Sequence, residues 1–520
     1  MDFETPRQFV EVVKLARPGN MNMRIHADKF TRYNTRAMIM SILRAIHILA
    51  LVGAFGVPSI SVAATYYLCY NGSTCNSGNG TGWSTGNSGN DGTSKSAAWQ
   101  CPKDMQGKLG AGDMVVMGDG NYTFGNCAAG PNRMLDTKGM NGTAQNPIVI
   151  KAENKGGVVW DGEETDPDED NRGVYIVYLR GCSFIEFHDF EAKRSRVTFH
   201  GNDRDNICHD ITLSGMEIHD HGLAGILTQI NYYNINIDSS FFYDSVDNSS
   251  RDANHTCVHN HNLYLNGYNI NLTNNVIHSA NGGSMLTIGG MCSFVGDSDP
   301  VGFTHQIHAI NNTFDGNGCV VTYTEPGGDK RFNAIDFWNR SYTPRFCAEL
   351  GGTPRNFKNV RFENNLMLNG QEASWGGHQS QFISNTNAES VTTPPHCNHF
   401  GWWSASCEEG TNGTTGYLEV NNNVSETRAL NSEHQSWADE YNNNCDECDG
   451  INLVNESAHD YRPTANSTAL IGKGLAENAP SYDILGNPRN PGSIDIGAYQ
   501  FSIPGPRPNP PNFVEDSAPQ

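Results

Sequence analysis

Positive charge is scarce in this chain. Its 520 residues hold 34 Lys and Arg against 56 Asp and Glu, a formal net charge of −22. That balance excludes a nucleic-acid binder that grips phosphates through a broad basic face. Charged residues of either sign make up only 17% of the chain, while Gly (55 residues) and Asn are abundant. This argues against helical bundles and coiled coils and for turn-rich β structure. No Lys occurs between Lys193 and Lys330, so the central strands cannot supply a lysine base. Long apolar runs are missing too. The stretch 45–57 spans 13 residues, short for a helix that crosses a membrane.

That stretch follows Arg36 and Arg44 and precedes Val62-Ala63-Ala64. A basic start, a short apolar centre and small residues make a secretory signal, cut before Thr65. Residues 1–37 lie ahead of an ordinary signal, and Met38 or Met40 would serve as a start. The mature part carries 26 basic and 52 acidic residues and all 14 cysteines. Export and an even cysteine count predict disulfides, with Cys69/Cys75 and Cys101/Cys127 as local pairs. Cys445-x-x-Cys448 has no second pair at finger-like spacing, so a disulfide or free thiols fit better than zinc. The protein is expected outside the cell, in the periplasm or at the cell surface. It is expected to act as a single copy without stable membrane insertion. Thirteen Asn-x-Ser/Thr sequons, among them Asn71, Asn121, Asn271 and Asn423, would accept glycans in an exported eukaryotic protein.

The middle of the chain repeats. One template, aliphatic-x-apolar-x-x-(small or Asn)-x-apolar, fits Ile211-Thr-Leu213-Ser-Gly-Met216-Glu-Ile218. It fits again from Ile235, Ile270, Ile307 and Val360, with looser copies from Ile185 and Leu418. Units near 24 residues with growing insertions indicate a solenoid, whose coils bury their apolar faces only against each other. Alternation within each unit indicates strands. The sixth template position (Asn275, Asn312, Asn365, Asn423) is expected to take a left-handed bend and to hydrogen-bond from coil to coil. A second strand precedes each copy, at 174–179, 197–200, 225–229, 261–265, 284–288 and 319–323. The architecture implied is an all-β, right-handed parallel β-helix with long loop insertions. Its span is 65–502, with 371–416 as an insertion, 65–99 as a loop region and 503–520 as a disordered Pro-rich tail. Residues 1–64 form the extension and signal.

At this level the chain resembles the secreted right-handed parallel β-helix proteins of the pectate-lyase-like superfamily. Asn146-Pro-Ile-Val-Ile-Lys-Ala-Glu and Gly157-Val-Val-Trp-Asp161-Gly resemble the first coil of alginate-lyase and chondroitinase-B-like members. Leu109-Gly-Ala-Gly-Asp113 and Asp119-Gly-Asn-Tyr122 resemble their entry segment. Residues 469–474, 483–489 and 495–499 resemble a common last-coil ending. The resemblance covers about 65–500 and implies a fold that hosts lyases, hydrolases, epimerases and adhesins. It implies a Lys base with an Arg and calcium-holding carboxylates. This chain lacks that group's Glu-x-Glu and Ser-x-Lys pattern, the polygalacturonase motifs and the epimerase Asp-Pro-His-Asp.

Outward side chains of successive strands line up along such a coil. The expected substrate row is His200, Thr228, His261 or Tyr264, Thr287 and Tyr323, with Trp402 and Trp403 in the insertion as sugar-stacking faces. The densest polar cluster is His255-x-x-x-His259-Asn-His261-Asn-x-Tyr264. Alternation puts His259 and His261 on one face. An imidazole base (His259 or His261) with the Tyr264 phenol suits proton abstraction beside a carboxylate. Arg251 or Arg331 would face that carboxylate. Residues 161–170 hold seven carboxylates. Asp161, Glu163, Asp166 and Asp168 could hold calcium, the one cofactor expected, without ordered EF-hand spacing. The substrate expected is a polysaccharide, cleaved by β-elimination of uronate units. A glycoside hydrolase and a non-catalytic glycan-binding adhesin are the alternatives, and the strongly acidic balance keeps both open.

Overall fold

In the computed structural model, the described residues are 63–76, 81–163, 173–201, 206–228, 232–245, 261–280, 284–289, 291–294, 307–316, 335–338, 352–355, 360–369, 383–384, 418–426, 429 and 440–501. They belong to the compact unit 62–520. The signal segment up to residue 62, most of the insertion 371–416 and the tail 503–520 lie outside them.

The repeat template folds as two strands around a corner. Residues Ile211, Ile235, Ile270, Ile307 and Val360 stack in register, one per coil, on parallel strands. Each is at most 1% exposed. Leu213, Ile237, Leu272, Ala309 and Phe362 form a second inward column two residues on. Neighbouring coils thus bury each other's apolar faces, at roughly 1.5–3 kcal/mol for each large side chain. Among the described residues this series makes an 11-stranded parallel sheet, from Thr65–Leu68 to Glu440–Asn442. The expected loop region 65–99 therefore begins with a strand, Thr65–Leu68, which pairs with Met114–Met117.

The other sheet combines two series. One holds the short strands after the corner, such as Phe241–Tyr243, Val276–His278, Thr313–Asp315 and Leu366–Leu368. The other holds Arg133–Asp136, Tyr175–Tyr178, His261–Leu265, Leu286–Gly289, Ile335–Trp338 and Ile383–Ser384. The long strands Glu191–Gly201 and Glu217–Thr228 belong to both, with a register shift between His221 and Ala224. The coil is a right-handed parallel β-helix. Strand Ile383–Ser384 pairs with Ile335–Trp338, so part of the expected insertion adds a rung. Expected strand 319–323 lies outside the described residues.

The corner differs by one residue from expectation. The left-handed residue is the fifth template position: Gly215, Ser239, Asn274, Asn311, Asn364 and Asn422, with φ between 51° and 67°. The sixth position makes the coil-to-coil hydrogen bonds expected of it, as a buried ladder. Asn275 Nδ2 donates to Asn312 Oδ1 at 3.0 Å, Asn312 Nδ2 to Asn365 Oδ1 at 3.1 Å, and Asn365 Nδ2 to Asn423 Oδ1 at 2.9 Å. Each Oδ1 also accepts the backbone N–H of the preceding coil's Asn. Fifth-position side chains turn to the C-terminal segment. Asn274, Asn311, Asn364 and Asn422 donate to the carbonyls of Tyr482, Asp495, Leu475 and Lys473. The segment resembling a last-coil ending thus runs along the corner of several coils, pinned by Arg489, 4% exposed, on Asn274 Oδ1.

The expected disulfides Cys69–Cys75 and Cys101–Cys127 form. Cys445–Cys448 is a disulfide, and Cys182–Cys208 joins two coils. No helix among the described residues is long and apolar enough to cross a membrane.

Candidate functional site

The strands preceding each template copy carry one line of outward positions. In register it reads Asp136, Tyr178, His200, Leu227, Tyr264 and Thr287. A second line, three residues earlier, reads Arg133, Tyr175, Val197, Ala224 and His261. Between them Val197, Ala224 and Leu227 form a small apolar patch separate from the main core, with Tyr175 and Tyr264 packed on it. Of the residues expected in the row, the structure brings His200, Tyr264 and Thr287 onto the first line and His261 onto the second, while Thr228 falls on neither. Leu227 stands in the row. Thr228 is buried, and its Oγ1 donates to Asn266 O at 2.7 Å. A one-residue slip moves a side chain to the other face of a strand. The next described rung brings Asp336 opposite Thr287; Tyr323, Trp402 and Trp403 lie outside the described residues, as do His259, Arg251, Arg331, Asp166 and Asp168.

The site has two layers. His261 (3% exposed), His200 (5%) and Thr287 (0%) are behind. Tyr175, Tyr178 and Tyr264 are half-buried and form the accessible layer. His261 and Tyr264 lie with ring centroids 5.4 Å apart. The backbone N–H of Ser284 donates to His261 Nδ1 at 3.1 Å, and Thr287 Oγ1 lies 2.9 Å from the same nitrogen. A backbone N–H only donates, so Nδ1 holds the lone pair and the ring proton sits on Nε2. The base role expected of His261 does not fit: its basic nitrogen is engaged and the ring is covered. Its ring lies against that of Tyr264.

His200 packs between Tyr175 (4.0 Å) and Tyr178 (5.4 Å). Burial, then the Arg196 charge, pushes it down to about 3, so it is neutral across the physiological range. The sequence reading missed the guanidiniums here. Arg133 and Arg180 both cover the Tyr178 ring, at 5.0 and 5.4 Å. Arg180 grips Asp136 through two bonds of 2.9 and 2.6 Å. Arg133 lies 3.6 Å from the same carboxylate. Opposition of bonding from Arg180 and Lys138 to burial holds Asp136 below its ordinary range. Two guanidiniums, Arg133 and Arg180, thus meet at one carboxylate, Asp136, at this end of the row. The signal in sequence was Tyr175 and Tyr178 at the i, i+3 spacing that recurs as His261 and Tyr264.

A second polar column, also missed, stands on the short strands. The rings of His219, Tyr243, His278 and His459 stack at 4.6, 5.2 and 4.0 Å. Burial opposes a charge on His219, but bonds to Asp220 (2.9 Å) and Glu191 (3.1 Å) raise it to about 9. Lys193 completes the group on Glu191. Each charge is met by a neighbour, which makes this column a fastening between coils.

The calcium expectation does not fit the two described carboxylates. Asp161 is 1% exposed and held by both Arg194 nitrogens. Glu163 accepts Gly125 N–H at 2.7 Å. A guanidinium seated on Asp161 occupies the oxygens a cation would need.

No family model matches the chain, and no curated protein matches it. Among solved structures, it is similar to pectate lyase Pel9A. That match has 14% identity and a TM-score of 0.45, over 85% of this chain and 98% of that one. A rhamnogalacturonan lyase matches at 15% identity and a TM-score of 0.34, over 78% and 94%. Pectate lyase Bsp165PelA from Bacillus sp. N165, in complex with trigalacturonate, matches at 13% identity and a TM-score of 0.29, over 62% and 75%.

Proposed function

We propose that this protein acts on an acidic polysaccharide laid along the outward row, cleaving uronate units by β-elimination. The observation that carries the reading is the line of accessible tyrosines and guanidiniums on one sheet of a chain whose net charge is −22. An acidic surface repels a polyuronate, so a local positive strip is the feature such a substrate requires.

In the reaction, a base removes the proton beside the uronate carboxylate. The electron pair forms the C4–C5 double bond, the C4–O4 bond breaks, and the leaving oxygen takes a proton. Tyr264 is the acid that supplies it, held by His261, a positioning residue. His259 is the base, and Arg251 or Arg331 neutralises the carboxylate as charge builds on it.

The test is ultraviolet absorbance of the unsaturated uronate, on a panel of uronate and neutral glycans with and without chelator. Tyr264→Phe is expected to lower kcat by roughly a hundredfold or more, the range of a positioned proton donor. New reducing ends without absorbance would make the protein a hydrolase. Glycan retention without either product would make it a binder.

A further inference from the structure

Arg133 and His261 lie on one line of register, joined through Tyr175, Val197 and Ala224. Four rung spacings separate them, about 19 Å at the ~4.8 Å distance between paired strands. Tyr178 and Tyr264 are three spacings apart on the companion line. The arginine end is thus too far from Tyr264 to serve the sugar that reacts there. It stands several sugar units along a chain lying in the row.

The arrangement at that end is built to face an anion. Asp136 is only 9% exposed and is already held by both Arg180 bonds. It fixes the Arg180 guanidinium by two bonds and reaches Arg133 only at 3.6 Å. Arg133 is oriented by the Tyr178 face rather than by a close bond, since its Nε lies 3.6 Å from Asp136. Its side chain is 24% exposed. A planar fork supported on an aromatic ring and part-exposed matches the two oxygens of a carboxylate. Tyr178 adds an apolar edge against which a sugar ring can lie.

We propose that Arg133, supported by Tyr178 and Arg180, is a distal subsite for the carboxylate of an acidic sugar, several units from the cleavage point. This rests on the reading of the row as a polysaccharide trough. It adds a length requirement: only chains long enough to span the four rungs gain the contact.

The experiment measures binding of purified oligogalacturonates and oligomannuronates, from dimer to octamer, to the full protein by calorimetry. Neutral cello-oligosaccharides serve as control. The wild type is expected to bind acidic chains more tightly once they exceed about four units. Arg133→Gln is expected to remove that gain, weakening long acidic chains by about tenfold to a hundredfold. Arg133→Lys, which keeps charge but not the fork, recovers part of it. Unchanged thermal melting of both variants excludes misfolding as the cause. Wild-type affinity that does not rise with length, or a long-chain affinity that survives Arg133→Gln, overturns the subsite. Arg133-dependent binding with no unsaturated product upholds the subsite and overturns the lyase. Product formation at unchanged KM in Arg133→Gln does the reverse.

Discussion

Replacing Asn365 by Ala tests what holds the coils in register. Asn365 is fully buried. Its Oδ1 accepts from Asn312 N at 2.9 Å and Asn312 Nδ2 at 3.1 Å. Its Nδ2 donates to Ala309 O and Asn423 Oδ1, both at 2.9 Å. Truncation leaves the Asn312 backbone N–H with no acceptor in a dry corner, a cost of about 1–3 kcal/mol. The other three bonds have partly compensated partners. Asn312 Nδ2 keeps Leu272 O, and Asn423 Oδ1 keeps the Asn365 backbone N–H. At about 0.5–1 kcal/mol each they bring the loss to roughly 2.5–6 kcal/mol. Asn444→Ala is the control. It ends the ladder, bonding among the described residues Asn423 and Val420, and is half-exposed. Water can replace its bonds, so its loss is about 1 kcal/mol. Urea unfolding followed by tryptophan fluorescence measures both. A loss at Asn365 equal to that at Asn444 would refute the ladder as a source of stability. Asn365→Asp sharpens the comparison: it keeps the acceptor but puts a carboxylate oxygen against Ala309 O and Asn423 Oδ1, so it should be worse than Ala.

Acidification should destabilise the coil through its buried neutral histidines. Burial, first among the causes, holds His200 at about 3, His221 at about 4 and His278 well below its ordinary value. The unfolded chain takes up these protons as pH falls through about 6.5 while the folded chain does not, so stability drops by about 1.4 kcal/mol per pH unit per residue. Asp244, Glu363, Glu426 and Asp495, raised by burial, pull the other way. His200→Phe isolates one contribution: its unfolding free energy between pH 6 and 4 should fall less steeply than the wild type by that amount, and identical slopes would remove His200 from the account. Secretion from a glycosylating host sorts the sequons. Mass spectrometry should find glycan on exposed Asn121, Asn141 and Asn466, and none in the folded fraction on Asn311 or Asn423, which are 0% and 1% exposed.

The fold was legible because every coil solves the same burial problem with the same residue types. An isoleucine column and its partner two residues on state an alternation that only strands satisfy. The corner was legible except for its phase. At 274/275, 311/312, 364/365 and 422/423 both neighbouring positions are Asn, so residue type cannot say which one turns and which one ladders. Gly215 carried the missing signal. It stands at the fifth position where the sixth is Met216, and glycine is the residue that adopts positive φ at no steric cost.

The site was legible only in part, for a different reason. Which side chains share a face depends on register, and register depends on an irregularity between His221 and Ala224 that has no composition of its own. That irregularity exchanged Thr228 for Leu227. Arg133 and Arg180 reach Tyr178 from separate strands and turns, and His459 reaches His278 from 181 residues later in the chain. Such pairings are products of the stacked coil, so they appear only once the coil is built. The histidine cluster drew attention because imidazoles are rare and conspicuous, yet burial placed His200 and His261 behind the tyrosines. A group meets a polymer by standing at the surface in line with its neighbours, and among the described residues of this row Tyr175, Tyr178, Tyr264 and Arg133 do so.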